Sequence, residues 1–404
     1  MFFHRHLPIV REGCIYAGHY PQTNHEPFMS KLFSPATLRS LTLRNRTVVA
    51  PMCQYSSQDG FANDWHLVHL GRFALGGFGL VMLEASAVTP EGRISYADLG
   101  IWKDEHIAPL TRIVDFLHGQ GAAAGIQLAH AGRKASTPVH WRNGFDETEE
   151  EKVKFHFESW TPVAPSALIH AEGKDFTKPE ALDEAGIRHV IDSFVAAARR
   201  ANQAGFDTVE IHAAHGYLLN QFLSPLANKR TDRYGGSREN RMRLVLEVTE
   251  AVRAVWPAEK PLLARLSVSD WHPDGWQVED SIVLTHELKA RGVDAMDASS
   301  GGFEGATIPV GAGYQVHLAS AVRNQGGLPT MAVGLLGDVQ RAEEIVANGE
   351  ADFIALARGA LDDPNWPLHA RHELGLHDYD LWPRPLNRVR ERDRSLRQRG
   401  FASS

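Results

Sequence analysis

Cysteine is scarce in this chain: Cys14 and Cys53 are the only two among 404 residues. That scarcity excludes a disulfide scaffold and a four-cysteine iron–sulfur site, and it reads as a reduced, cytoplasmic protein. Long apolar runs are missing too. The longest candidate, 73–83, contains three glycines and stops at Glu84, well short of the ~20 residues that span a bilayer. No apolar core of a secretory signal occurs in the first thirty residues. Positive charge is not in excess, since 42 Lys and Arg face 49 Asp and Glu for a net charge of −7. Nucleic acid requires a concentrated basic surface, so neither it nor a membrane is expected as a partner. Two motifs are also absent: a G-x-G-x-x-G turn after the first strand-like run, and H-E-x-x-H anywhere.

What is present is an alternation of short apolar runs with amphipathic stretches. The runs are 47–52, 80–85, 123–129, 207–212, 262–268, 293–299, 330–335 and 352–358, each of a length suited to a buried parallel strand. Helical stretches at 183–203, 237–255, 279–291 and 338–348 fall between them. Gly205, Gly292 and Gly349 stand where left-handed helix ends are expected. Eight such runs predict a closed (β/α)8 TIM barrel. A doubly wound sheet is the competitor, and it would normally carry the missing glycine fingerprint. Residues 31–45 read as a two-stranded cap, and 131–180 as a long loop after the third barrel strand that could build a pocket. Residues 31–383 are read as one domain. Residues 1–30 are expected to be an irregular extension, or to precede a true start at Met29. Residues 384–404, rich in arginine, read as a mobile basic tail.

Strand alternation places certain polar groups inside the barrel. In 125–129, Ile126 and Leu128 face outward if Gln127 faces inward. By the same rule Glu210, His212 and Arg265 point inward, with Glu210 pairing with Arg265. An amide, an imidazole and a guanidinium converging on one mouth suggest a ligand. His215 lies beyond its strand, in a turn permitted by Gly216. His212 and His215 could hold zinc, or could donate to a carbonyl oxygen on which negative charge develops. The glycine-containing ends of strands seven and eight, with Gly334, Ala357 and Arg358, suit a phosphate.

The segments APMCQYSS at 50–57, EASAV at 84–88, GRISYADLGIW at 92–102 and GIQLAHAGRKA at 125–135 resemble the Old Yellow Enzyme family. So do 206–241, DASSG at 297–301 and ALARGAL at 355–361; the similarity is greatest to the bacterial NADPH-dehydrogenase branch and covers roughly 31–370. The resemblance implies an FMN-dependent ene-reductase with NADPH or NADH as reductant, acting on activated alkenes, and a homo-oligomer. It implies that Ala50, Pro51, Met52 and Cys53 lie along the flavin with Ala85 near the ring. Gln127 would bond the pyrimidine edge, Arg265 would face N1, and Gly334, Ala357 and Arg358 would hold the phosphate. His212 and His215 would bind the substrate oxygen, Tyr55 would contact substrate, and Tyr217 would supply a proton. The tail departs from the aromatic, arginine-bearing terminus by which some relatives complete a neighbour's site. Two rival classes are a zinc-dependent barrel hydrolase using the histidine pair and a non-catalytic flavin-binding protein.

Overall fold

Alternating apolar residues build a first hairpin, β1 (Ala36–Leu38) and β2 (Leu41–Leu43), paired antiparallel. It turns at Arg39, whose guanidinium bonds Asp294 at 2.7 Å. The protein is seen here as a computed structural model that describes residues 29–139, 158–171, 176–377 and 379–386, with a few residues between 388 and 399. The expected N-terminal extension with Cys14, and most of the basic tail, lie outside the described residues.

The next strands are β3 (Thr47–Val49), β4 (Leu80–Ala87) and β5 (Ala123–Ala129), followed by a minor parallel pair, β6 (Val163–Ala164) and β7 (Glu180–Ala181). Then come β8 (Thr208–Ala213), β9 (Leu262–Ser267), β10 (Ala295–Ser299), β11 (Thr330–Ala332) and β12 (Phe353–Leu356). Leaving out β6 and β7, the strands from β3 onward pair in parallel, neighbour to neighbour, and β12 closes on β3 through Ile354 and Thr47. This is the expected (β/α)8 TIM barrel with its hairpin cap. The loop after β5 is as long as expected, and its stretches 140–157 and 172–175 lie outside the described residues.

Around the barrel run α1 (Asp64–Leu75), α2 (Ile107–Gly119), α3 (Glu184–Gln203), α4 (Leu218–Leu223), α5 (Arg238–Val255) and α6 (Val278–Ala290). They continue as α7 (Val316–Ala321), α8 (Val339–Ala347), α9 (Arg358–Asp362) and α10 (Trp366–Glu373). Asp183, Ser237 and Asp338 cap α3, α5 and α8 by accepting a backbone N–H three residues on. No helix among the described residues is long and apolar enough to cross a membrane.

Three strands stop two or three residues earlier than their apolar runs suggest. Pro51 cannot donate to a ladder, so β3 ends just before it. Leu335, in a left-handed conformation at φ 55°, follows Gly334 at φ 123°, which takes the chain out of β11. Ala357, at φ −105° and ψ −94°, turns the chain from β12 into α9. Inside the barrel, Val48, Leu80, Met82, Leu263, Met331 and Phe353 form one apolar cluster, which the hairpin closes with Ala36, Leu38 and Leu43. The opposite mouth, at the carboxyl ends of the strands, is left for polar groups.

Candidate active site

On one side of this mouth a cavity of about 500 Å³ is bounded by Arg265, Ser299, Gln315, Gly334, Gly337, Ala357, Arg358 and Gly359. A side chain built on Gly337 would meet no atom within 4 Å, so this glycine faces open space. Gln315 bonds the Val333 carbonyl at 3.2 Å and ties α7 to the end of β11.

Next to the cavity, register brings inward polar residues into contact across neighbouring strands. Gln127 is opposite Glu210, and its Nε2 donates to Glu210 Oε1 at 2.7 Å. Arg265 is opposite both His212 and Asp297. The expected pairing of Arg265 with Glu210 is not the one formed: Arg265 Nε lies 3.2 Å from Asp297 Oδ2. Parallel register places Asp297 directly across from Arg265, while Glu210 is opposite Leu263. Burial and then the charge of Asp297 push Glu210 up to about 8, against the opposing pull of Arg265 and Gln127.

The second half of the mouth comes from the ends of β8 and β10. His212 accepts the Ala214 N–H at Nδ1, 3.3 Å away, so its Nε2 carries the hydrogen. His215, left-handed at φ 59°, donates its backbone N–H to Ser267 Oγ at 2.8 Å, and its Nε2 lies 2.7 Å from Ser299 Oγ. Burial, followed by the nearby Arg265 charge, holds both imidazoles well below their ordinary range and therefore neutral. The His212 ring centroid is 5.2 Å from that of His215 and 5.0 Å from that of Tyr217. Gly216 and Gly302 interlock beneath this turn. A β-carbon on Gly302 would sit 2.1 Å from the His215 carbonyl carbon, and one on Gly216 would sit 2.2 Å from the Gly302 oxygen. Lys134 bridges the same two loops, donating to the carbonyls of His215 at 2.8 Å and Gly302 at 3.3 Å. Burial brings this ammonium down to about 8.

The loop after β3 supplies the facing wall. Cys53 and Tyr55 pack with Trp160 and Tyr217 against Ile94, Ala131 and Ala135. Tyr55 is left-handed at φ 50°. Glu84, at an irregularity in the pairing of β4, accepts the Gln54 N–H at 2.5 Å and so ties this loop down. Burial, then the charges of Asp98 and Glu84, raise the Cys53 thiol well above its ordinary value, so it is not a thiolate. Burial likewise raises the Tyr217 phenol. Ala85 lines a small recess with Asp98 and Tyr217. Ala50 and Ala357 pack on the barrel's inner apolar cluster, whereas Met52 packs on the outer core.

Gln127, His212, His215 and Tyr217 thus collect at one mouth with Arg265, Gly334, Ala357 and Arg358, whereas Ala50 and Met52 pack into the apolar cores beside it. Asp297 was missed, although alternation from Ala295 to Ser299 would have pointed it inward. Lys134 and Glu84 gave no such signal, because one sits in a turn and the other at a break in strand pairing. Among the described residues no third His, Cys, Asp or Glu joins the histidine pair in a metal-binding group.

The cavity fits FMN on its own chemistry. It has room for a mononucleotide, a small-residue cradle beside Arg358, and the buried Arg265 guanidinium on its wall. Comparison with known proteins agrees. The model of the NADH:flavin oxidoreductase / NADH oxidase family matches residues 31–377. The NADPH dehydrogenase of Geobacillus thermodenitrificans is 46% identical over 347 residues, covering 85% of this chain and 95% of the relative. That of Bacillus cytotoxicus is 45% identical over 361 residues, covering 88% and 97%. Morphinone reductase superposes with a TM-score of 0.70 at 30% identity, over 86% of this chain and 90% of its own. A 2-naphthoyl-CoA reductase complex gives 0.76 at 26% identity, over 86% of this chain but only 53% of that longer one. The chain is a member of the NADH:flavin oxidoreductase / NADH oxidase family, the FMN-dependent oxidoreductases typified by Old Yellow Enzyme.

Proposed function

We propose that this enzyme uses NADPH or NADH to reduce the activated C=C bond of small enones, enals or nitroalkenes. The observation that carries the reading is the pair of neutral imidazoles beside a flavin-sized cavity. When bound, FMN supplies the redox chemistry, taking hydride from the nicotinamide and returning it to the β-carbon of the alkene. Gly334, Ala357 and Arg358 would hold its phosphate, Gln127 would meet the pyrimidine edge, and Arg265 would lie by the N1 side. Ala50, Pro51, Met52, Cys53 and Ala85 would lie along the ring.

His212 Nε2–H donates to the substrate oxygen, where negative charge grows as the β-carbon is reduced. With the Ser299 hydroxyl donating to His215 Nε2, Nδ1 of His215 becomes the second donor. Neutral donors suit this task, because they stabilise developing charge without binding an anion permanently. Tyr55 and Cys53 wall the substrate, and Tyr217 protonates the α-carbon. Its phenol stays protonated at neutral pH, as burial raises it further. The protein acts as one barrel domain over 31–383, in the cytoplasm, and as a homo-oligomer.

A visible spectrum of the purified protein tests the reading. Flavin absorbance should bleach on anaerobic addition of NADPH and return when cyclohexenone is added. Stoichiometric zinc in place of flavin would restore the hydrolase reading. Bound flavin that neither nicotinamide nor alkene affects would indicate a binding protein.

A further inference from the structure

Three ionisable groups on adjacent strands meet inside the barrel beside the cofactor cavity: Glu210 on β8, Arg265 on β9 and Asp297 on β10. They are 0%, 6% and 1% exposed. Two of them are acids and one is a cation, so the set carries an excess negative charge if both acids ionise. Among the described residues, the neighbours on the adjoining strands offer no further charge to balance it. From β5 comes Gln127, a neutral amide that satisfies one Glu210 oxygen. From β8 comes His212, which is neutral. Met331 stands opposite Asp297, and the interior side chains of β4 and β12 in the layer beneath, Met82 and Phe353, are also apolar. Glu210 Oε2 and Asp297 Oδ1 are buried with no hydrogen-bond partner among the described residues. An uncompensated buried charge costs several kcal/mol, and a carboxylate relieves that cost by taking a proton.

We propose that Glu210 and Asp297 share one proton beside Arg265, that this proton leaves in alkaline solution while the flavin is oxidised, and that it returns when the flavin is reduced. The inference rests on the placement of Arg265 at the N1 side of the flavin given above. Asp297, whose Oδ2 faces the guanidinium, is the member that stays ionised, so Glu210 is the member that titrates. Burial raises both carboxyls, Arg265 opposes the rise at Asp297, and Glu210 is pushed up to about 8.

The electron and proton balance is simple. In neutral solution the pair already holds its proton, and oxidised FMN takes two electrons and one proton to give the N1-deprotonated reduced form. In alkaline solution the same two electrons bring in two protons, one to flavin N5 and one to the Glu210 carboxylate. The second arrives because the new negative charge near Arg265 weakens its hold on the acid pair.

Redox titration of the FMN-loaded protein, using an electrode and mediators, tests this without any alkene. The midpoint potential should fall with pH at the slope for one proton per two electrons below about pH 8, and twice as steeply above it. Titration of N1 of reduced flavin would bend the plot in the opposite sense. Glu210→Gln keeps a side-chain oxygen for Gln127 and removes the titration, so its slope should be single throughout. Asp297→Asn leaves one acid to one cation, and its plot should lose the same break. A single slope throughout in the unaltered protein would overturn the proposal, and so would a steep alkaline limb that survives in Glu210→Gln. If neither variant retains FMN, infrared spectra of the unaltered protein decide: a protonated carboxylic acid band should disappear above about pH 8 when oxidised and reappear on reduction. Constancy of that band would defeat the idea. Failure to reduce alkenes would sink the proposed function and leave these titrations unaffected.

Discussion

At the closed end of the barrel, Val48, Leu80, Leu263 and Phe353 fill the interior without a polar side-chain atom. A few residues further along, the same cylinder of strands holds Gln127, Glu210, His212, Arg265 and Asp297. Both layers obey the same inward alternation, and both are buried. They differ in what burial does to them. In the lower layer, removal from water is the driving force, worth about 25 cal/mol per Å². In the upper layer, removal from water opposes the fold and is tolerated only where ion pairs and hydrogen bonds offset it. The comparison teaches that stability and chemistry are separated along the barrel axis, and that the first supports the second.

The largest effect should come from the upper layer. Arg265→Met leaves Asp297 buried without its cation, so we expect about 3–5 kcal/mol of lost stability together with loss of FMN. Denaturant unfolding and flavin-to-protein ratio report both. Full flavin loading with an unchanged reduction potential would refute the assigned role. Phe353→Ala should cost about 3–4 kcal/mol in the lower layer, yet leave the flavin spectrum and alkene turnover of the folded fraction intact. A shifted spectrum there would break the separation between layers.

Smaller effects distinguish groups within the mouth. Joint replacement His212→Ala and His215→Ala removes two donors at roughly 1–1.5 kcal/mol each, so binding of a simple phenol should weaken roughly 30- to 160-fold with FMN retained. Phenol titration followed through the flavin absorbance measures it, and loss of a zinc ion instead would revive the hydrolase. Tyr217→Phe is the mildest change. Reoxidation of the flavin by cyclohexenone should slow by roughly 10- to 100-fold, while reduction by NADPH stays near normal. Stopped-flow traces of the two half-reactions separate these outcomes, and equal slowing of both would indicate disturbed packing.

Much of this organisation is legible in the sequence. The run at 123–129 corresponds residue for residue to β5, and Asp183, Ser237 and Asp338 announce their helices through capping chemistry. Period-two alternation correctly turned Gln127, His212 and Arg265 inward. It could not choose the partner of Arg265, because pairing depends on the register between strands that are distant in sequence. Glu210 seemed the natural counterion, and Asp297 holds that place. Lys134 was hidden for another reason. Its role depends on two carbonyls, and main-chain acceptors leave no trace in side-chain pattern.

The interlocked glycines have a consequence for anyone remodelling this enzyme. Because Gly216 and Gly302 each occupy the space a methyl group would need, the turns after β8 and β10 form a single mechanical part. A graft that imports one turn without its glycine sets a β-carbon against the main chain of the other turn. The two turns should therefore be exchanged together, as a cassette, with Lys134 carried along as the clasp across both carbonyls.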